Sequence, residues 1–248
     1  MKQSLAIAVT LGIALAFSLA GCGKNPQSSN PGSMKLSIKV MSGSPGLPGA
    51  FGRAGLRKAT SSQAQQVTIT AAKVVLDEIE IESTNRDSLD FKSDSAMVVN
   101  LNLTGAMTEV GTVALPFGTY DELEFEIHKL EPQDGAVYAA NPDLQNRSIY
   151  VRGYVDGDTN AVFVFMGAIE VEQEQKFSPP LVINENSPTT NIVLAIDTSV
   201  WFSDGAGGYL DPRVSQNRDA IARNIKASIN TFEDEDDDGE EDDDSDDD

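Results

Sequence analysis

The feature that most constrains this fold is a series of short alternating apolar segments, each bounded by turn residues. In Met34–Met41 (MKLSIKVM) every second residue from Leu36 to Val40 is apolar, with lysine and serine between them. Such alternation places apolar side chains on one face of a strand and polar side chains on the other. Similar segments recur as far as residue 196, separated by Gly, Pro, Asn and Asp clusters. The pattern predicts an all-β fold, an antiparallel β-sandwich of about nine or ten strands.

The longest alternating segment, Val67–Glu82 (VTITAAKVVLDEIEIE), changes phase in its middle. Alternation begins at Val67, is interrupted by the continuous apolar run Val74–Leu76, and resumes at Ile79. A strand that changes phase moves its apolar side chains to the opposite face. The segment therefore predicts either a β-bulge or two strands joined by a tight bend.

The period changes from two to that of a helix near the C-terminus. Ile221, Ile225, Ile229 and Phe232 recur at helical spacing, and Asn217 can cap the segment. We expect one C-terminal amphipathic helix over residues 212–232, docked on the sandwich by its apolar stripe. The alternative is a helix that lies on a membrane surface.

A long loop separates the first two predicted strands. Residues 42–66 show no periodicity, are rich in Gly and Pro, and carry the basic residues Arg53, Arg57 and Lys58. The basic cluster could contact lipid headgroups, or it could belong to a solvated insertion. The predicted sandwich domain spans residues 34–211 and includes this loop.

The N-terminal residues have the composition of an export signal. Lys2 precedes the almost continuously apolar run Leu5–Ala20, which is shorter than the ~20 residues of a membrane-spanning helix. Small residues then precede Cys22, the only cysteine in the chain. The sequence LAGC at residues 19–22 resembles the lipobox of bacterial lipoproteins. This resemblance implies cleavage of a signal peptide at 1–21 and lipidation of Cys22 by diacylglycerol and a fatty acyl chain such as palmitate.

Several acyl chains give stable anchoring, so the predicted location is the cell envelope. Residues 22–33, rich in Pro, Ser, Asn and Gly, predict a flexible tether. In the lipoproteins that this chain resembles, an Asp after the cysteine marks inner-membrane retention. Gly23 stands there and favours the outer membrane in a host with two membranes. One alternative is a plain signal peptide that happens to precede a cysteine. The other is an apolar segment that stays uncleaved as a membrane anchor.

A second resemblance concerns the fold. The segment Leu115–Tyr120 (LPFGTY), followed by the strand LEFEI, resembles a turn of exported β-sandwich domains of the prealbumin-like kind. The order of lipobox, tether, a VTIT second strand and LPFGTY is similar to a group of bacterial lipoproteins of unknown function. The resemblance covers residues 34–196. It implies a β-sandwich at the cell surface and carries no activity with it.

Residues 233–248 are almost entirely acidic and contain 14 of the 39 Asp and Glu residues. Their composition predicts a disordered tail. The spacing D-x-D-x-D-G resembles the calcium loops of EF-hands and thrombospondin type 3 repeats, although the twelfth position is Ser245 instead of Glu. The candidate Ca²⁺ ligands are Asp234, Asp236, Asp238, Glu240 and Asp242. The alternative is a tail that attracts cations without a defined site.

The rest of the composition disfavours several function classes. No basic patch with interleaved aromatic residues is present, which argues against a nucleic-acid partner. Lipidation of Cys22 leaves no cysteine for a disulfide, a metal thiolate or a nucleophile. His128, the only histidine, is predicted to share the acidic, solvent-facing side of its strand with Glu124 and Glu126, so it could be a metal ligand or an exposed strand residue. No G-x-S-x-G motif accompanies it, so no Ser-His-Asp triad is predicted.

We therefore predict that the chain is not an enzyme. The expected function is that of a membrane-anchored bacterial lipoprotein whose non-catalytic β-sandwich has a binding or structural role, with a link to calcium. Its expected partners are the membrane, through the N-terminal lipid, calcium, and an envelope protein or glycan. The alternative is an envelope hydrolase with a carboxylate-based active site on the sandwich, which would require carboxylates from separate strands to converge in one pocket.

Overall fold

The computed structural model describes residues 31–41, 63–84, 87–93 and 95–234. The predicted signal peptide, Cys22, nearly all of the tether and most of the loop at 42–66 lie outside these residues. The described residues are mostly strands with two short α-helices, which confirms the predicted all-β, sandwich-like class. Neither of these helices has the length and apolar character needed to cross a membrane.

Thirteen strands are present in the described residues. They are β1 (Gly32–Met41), β2 (Gln63–Ala64), β3 (Val67–Ser83), β4 (Phe91–Ser93), β5 (Met97–Asn100), β6 (Thr108–Leu115), β7 (Gly118–Ile127), β8 (Ile149–Val155), β9 (Val162–Gly167), β10 (Val171–Ile183), β11 (Thr189–Asp197), β12 (Tyr209–Leu210) and β13 (Ile229–Glu233). The helices are α1 (Gly135–Ala140) and α2 (Arg218–Lys226).

Two main sheets pack around one apolar core. The four-stranded sheet has the order β13-β11-β1-β6, and the seven-stranded sheet has the order β10-β7-β3-β8-β9, with β4 and β5 also paired to β3. The short strands β2 and β12 pair with each other. The pairing of β1 with β11 is parallel, whereas the other described strand pairs are antiparallel. This parallel pair departs from the predicted antiparallel arrangement.

The core combines the inner faces of both sheets with one side of α2. Ile221 and Ile225 of α2 are fully buried beside Trp201 and Phe202. A second, smaller cluster lies outside the main core, where Val75 packs with residues of α1 such as Val137. Apolar side chains are therefore needed on both faces of β3 at this point, which explains the continuous run Val74–Leu76 in the sequence.

The phase change in β3 arises from β-bulges within one strand. Leu76 pairs with Ile127 and Ile79 pairs with Phe125, so β3 has one residue more than β7 between these pairs. A second register shift separates Ile69 from Ala71 in the pairing with β8. Of the two predicted alternatives, the structure has the bulge, and β3 continues for 17 residues.

The predicted C-terminal helix is shorter than the helical spacing indicated. Helix α2 spans only Arg218–Lys226, and Ile229 and Phe232 belong to β13, which pairs with β11. The helix ends where Ser228 is buried and its Oγ donates to Ile225 O at 2.7 Å. Asn217 occupies the N-cap position, but its side chain donates to Asp211 O at 3.0 Å and makes no capping bond.

Three other predicted boundaries also shift because strand pairing extends into segments of turn-like or acidic composition. β1 begins at Gly32, inside the predicted tether. Gln63–Ala64, assigned to the long loop, forms β2. Glu233, assigned to the acidic tail, is the last residue of β13 and pairs with Ile192.

The LPFGTY segment forms the corner between the two sheets. It links the end of β6 to the start of β7, and Tyr120 is fully buried there. The Tyr120 hydroxyl donates to Pro116 O at 2.7 Å, which is the geometry of a tyrosine corner in a β-sandwich. Burial raises the pKa of Tyr120 to about 12 and keeps the hydroxyl protonated as a donor.

Candidate functional site

The outer face of the seven-stranded sheet carries a dense group of carboxylates. Its carboxylates alternate with buried apolar residues along β3 and β7, so strand periodicity directs them outward, and strand register places the glutamates of β10 beside them. We name this surface the acidic face. It comprises Glu78, Glu80 and Glu82 of β3, Glu122, Glu124 and Glu126 of β7, and Glu172 and Glu174 of β10.

Strand register brings these glutamates into rows. Glu80 pairs with Glu124, and Glu124 pairs with Glu174, so one row crosses three strands. The neighbouring rows hold the pairs Glu126–Glu172 and Glu82–Glu122. Side chains that are directly opposite in a sheet lie about 4.5–5.5 Å apart at Cβ, and like charges in these positions destabilise the sheet. The acidic face therefore carries electrostatic repulsion in the folded state.

Two lysines neutralise the margins of the acidic face. Lys92 of β4 forms ion pairs with Glu78 and Glu80, the latter at 2.9 Å. On β10, Lys176 contacts Glu174 at 2.9 Å and Glu122 at 3.4 Å. The lysines lie on the outer strands, so their charge is concentrated at opposite sides of the face.

The central carboxylates have a raised proton affinity. Burial raises the pKa of Glu124 and of Glu126, and neighbouring glutamates raise both further. The pKa of Glu82 rises for the same reasons. In contrast, the hydrogen bond from Lys176 lowers the pKa of Glu174. The repulsion among carboxylates is therefore concentrated at the glutamates that lie between Lys92 and Lys176.

His128 lies just beyond the end of β7, beside the acidic face. Its Nδ1 is 3.9 Å from Asp77 Oδ2, and its Nε2 is 3.9 Å from Glu170 Oε1. Nδ1 is also 3.2 Å from Lys129 O, to which it donates when protonated. The ring is half-buried between two carboxylates. No group of three or more His, Cys, Asp or Glu side chains in the described residues is arranged to hold a metal ion.

Most of the residues predicted as sites lie outside the described residues. These are Cys22, Asp236, Asp238, Glu240 and Asp242. Asp234 is described: it directly follows β13, is fully buried, and its backbone N–H donates to Asn191 O at 3.1 Å. The first residue of the predicted calcium loop is therefore attached to the four-stranded sheet, on a different sheet from the acidic face.

The gap between the two sheets has a different character. It is too narrow to admit a water molecule, and it is lined by Met34, Leu36, Ile79, Val110, Gly111 and Val113. These residues belong to or adjoin the apolar core and carry no side chain suited to acid–base chemistry. The carboxylates that converge from separate strands lie instead on the open acidic face.

The acidic face was only partly predictable from the sequence. Alternation in Asp121–Leu130 indicates that Glu122, Glu124 and Glu126 share a solvent-facing side. It does not indicate that β3 and β10 flank β7, because pairing partners depend on long-range register. Glu also alternates in DEIEIE (residues 77–82) and in VEQEQ (residues 171–175). This shared alternation is the signal that could have suggested an acidic surface across the three strands.

An open face of this kind can attract cations and steer a positively charged partner towards the sheet. Its glutamates remain accessible to solvent, so their interactions weaken as the salt concentration rises.

Comparison with protein families, with curated proteins and with solved structures finds no match for this chain.

Proposed function

We propose that this chain is a non-catalytic binding module of the cell envelope that engages a positively charged partner through its acidic face. The observation that carries the proposal is the row Glu80–Glu124–Glu174, in which three carboxylates lie side by side. A cationic partner would relieve the repulsion that this row creates. Part of the binding energy would therefore come from relief of the repulsion at Glu124, whose row neighbours Glu80 and Glu174 are already paired with Lys92 and Lys176.

The spacing of the face suits an extended basic segment of a protein partner. Carboxylates on one strand recur every second residue, roughly 6.6–6.8 Å apart, and neighbouring strands are about 4.7–4.9 Å apart. An extended peptide also presents alternate side chains about every 6.6–6.8 Å. Lysine or arginine at alternate positions would therefore meet successive glutamates such as Glu122, Glu124 and Glu126.

The proposed attachment is a lipid on Cys22. It is supported by the LAGC sequence, by the apolar run before it, and by the short segment between Cys22 and β1. Calcium remains a proposal for the acidic loop that begins at Asp234, where the D-x-D-x-D-G spacing of residues 234–239 supports it. We place the membrane on one side of the module and the cationic partner on the acidic face.

Binding of poly-lysine tests the role of the acidic face. We expect the triple variant Glu80→Gln, Glu124→Gln, Glu126→Gln to weaken binding roughly tenfold at low salt, because three interacting charges are removed. The matched control replaces three exposed carboxylates elsewhere, Glu109→Gln, Glu185→Gln and Asp219→Asn.

Both triple variants change the net charge by the same amount, so a general charge effect would weaken binding equally in the two proteins. Isothermal titration calorimetry at two salt concentrations provides the measurement. Equal affinities for the two variants, or no binding of poly-lysine by the unaltered protein, would contradict the proposed role of the acidic face.

The alternative function, a carboxylate-based hydrolase, is favoured by one observation. Glu124 and Glu126 have raised pKa values, as a general acid requires near neutral pH. However, a hydrolase also needs a site that orients its substrate and excludes water. The acidic face is an open sheet surface, so its geometry supports binding better than hydrolysis.

A further inference from the structure

The edge of β9 differs from the sheet edges at β10 and β6 in lacking features within the strand that oppose strand pairing. Natural edge strands are commonly protected by charged side chains, prolines or bulges. β10 carries Lys176 and the Pro179–Pro180 pair, and its pairing with β7 is irregular there. β6 carries Glu109, and its pairing with β1 contains a register shift. The sequence of β9 is VFVFMG, without charge or proline.

Hydrogen-bond alternation directs the polar backbone groups of Val162 and Val164 towards the free edge of β9. The Val155 N–H donates to Ala161 O, which places residues 161, 163 and 165 in the positions bonded to β8. The intervening residues must direct their N–H and C=O groups away from β8. In agreement, Met166 O accepts a hydrogen bond from the guanidinium of Arg218, outside the sheet.

The side chains at this edge are also suited to burial. Val162 is 45% exposed and Val164 is 43% exposed. Their cross-strand neighbours on β8 are Tyr154 and Arg152, respectively. The described part of the chain contains no strand that pairs with this edge. The edge therefore combines free main-chain groups with exposed apolar side chains, which together form a template for strand addition.

We propose that a second copy of this chain pairs with the β9 edge in an antiparallel arrangement. Val162 of each copy lies opposite Val164 of the other, so the backbone groups of both residues pair about a twofold axis. The two sheets then continue across the interface. A twofold arrangement is closed, because each copy uses the same edge and leaves no further β9 edge for growth.

Charge complementarity supports a second copy as the occupant. Asp158 lies in the turn before β9, whereas Arg218 contacts Met166 at the other end of the strand. Both side chains are exposed. An antiparallel twofold brings the turn of one copy beside the Met166 end of the other. Asp158 of each copy therefore lies near Arg218 of the second copy, and two ion pairs flank the paired valines.

Sedimentation equilibrium of the full chain in a mild non-ionic detergent tests the dimer. We expect a concentration-dependent dimer, and Val164→Lys should weaken it by roughly tenfold or more because the substitution removes apolar burial and adds edge charge. The matched control is Val182→Lys on β10, where Val182 is 51% exposed. The control should dimerise like the unaltered protein, and thermal melting should show that both variants are folded.

A charge exchange tests the register. Arg218→Glu should weaken the dimer, and the double variant Arg218→Glu, Asp158→Lys should restore it, because the ion pairs form again with opposite polarity. If Arg218→Glu weakens the dimer only because it breaks the contact between Arg218 and Met166 within one copy, the double variant will dimerise as weakly as the single variant. That outcome would overturn the proposed register. Three outcomes would overturn the second copy as the occupant of the edge. The protein could remain a monomer at all concentrations, or the Val164→Lys and Val182→Lys variants could dimerise equally. The third outcome is a monomer that pairs only with a strand of another protein.

Discussion

Glu124 occupies the centre of the acidic face, and its ionisation is coupled to folding. Burial and the carboxylates of Glu172 and Glu80 raise its pKa above the ordinary value of 4.5. The folded protein therefore binds this proton more tightly than the unfolded chain does. The resulting stabilisation is complete below the unfolded pKa and is lost as the pH rises through the folded pKa. At neutral pH the ionised Glu124 destabilises the fold.

The substitution Glu124→Gln should therefore increase the free energy of unfolding at pH 7. We expect an increase of a few tenths to about 1 kcal/mol, because the side chain is partly exposed and solvent screens the repulsion. The increase should disappear near pH 3, well below the ordinary value of 4.5, where Glu124 is protonated in both states. Urea unfolding at the two pH values provides the measurement.

Glu174→Gln is the matched control, because Glu174 lies in the same row but accepts a hydrogen bond from Lys176 that lowers its pKa. The sign is reversed for this residue: its stabilisation is present at neutral pH and is lost as the pH falls through its lowered pKa. Glu174→Gln should therefore not stabilise the protein at pH 7. An equal increase for the two variants would mean that net charge, and not the position of Glu124, determines the effect.

At the scale of elements, the junction between α2 and β13 shows why a helical spacing can end in a strand. Ser228 is buried, its Oγ accepts a hydrogen bond from Trp201 Nε1 at 2.7 Å, and it donates to Ile225 O. The serine thus satisfies a buried indole and a carbonyl at the helix terminus. β13 then continues directly along β11, which outweighs the helical spacing of Ile229 and Phe232.

Replacement of this serine should destabilise the junction. We expect Ser228→Ala to lower the free energy of unfolding by roughly 1–3 kcal/mol, because Trp201 Nε1 would be left buried without its acceptor. Trp201 is the only tryptophan in the chain, so its fluorescence reports the site directly. Ser215→Ala, at an exposed serine before α2, is the control and should change stability by less than about 0.5 kcal/mol. Unchanged fluorescence and stability in Ser228→Ala would contradict this account.

The strands were predictable from the sequence because their alternation is local, whereas their partners were not. The phase change in β3 indicated a bulge or a bend, but the choice depends on β7 and β8. Gly153 shows the difficulty: a Cβ there would lie 2.0 Å from Thr68 O, beside the second bulge. Nothing in the local sequence SIYVRGYV indicates this close approach. For the same reason the acidic face could be predicted on β7 but not across three strands.

At the scale of the whole molecule, the chain enters and leaves the four-stranded sheet at the same end. Ser33 of β1 pairs with Thr189, and Glu233 of β13 pairs with Ile192, only three residues further along β11. The tether and the acidic residues after Asp234 therefore start close to each other. If Cys22 carries the lipid, the nine residues 23–31 span at most about 30 Å, which holds this end of the sandwich near the membrane.

Replacement of Cys22 tests the proposed anchor on which this orientation depends. We expect Cys22→Ser to abolish labelling by radioactive palmitate and to move the protein from the membrane fraction to the soluble fraction, because the thiol is the only attachment point for the diacylglycerol. Ser28→Ala, in the predicted tether, is the matched control and should remain labelled and sediment with membranes. A Cys22→Ser protein that stays in the membrane fraction after a high-salt wash would show that another segment holds it there. A soluble but unlabelled parent protein would exclude the lipid altogether.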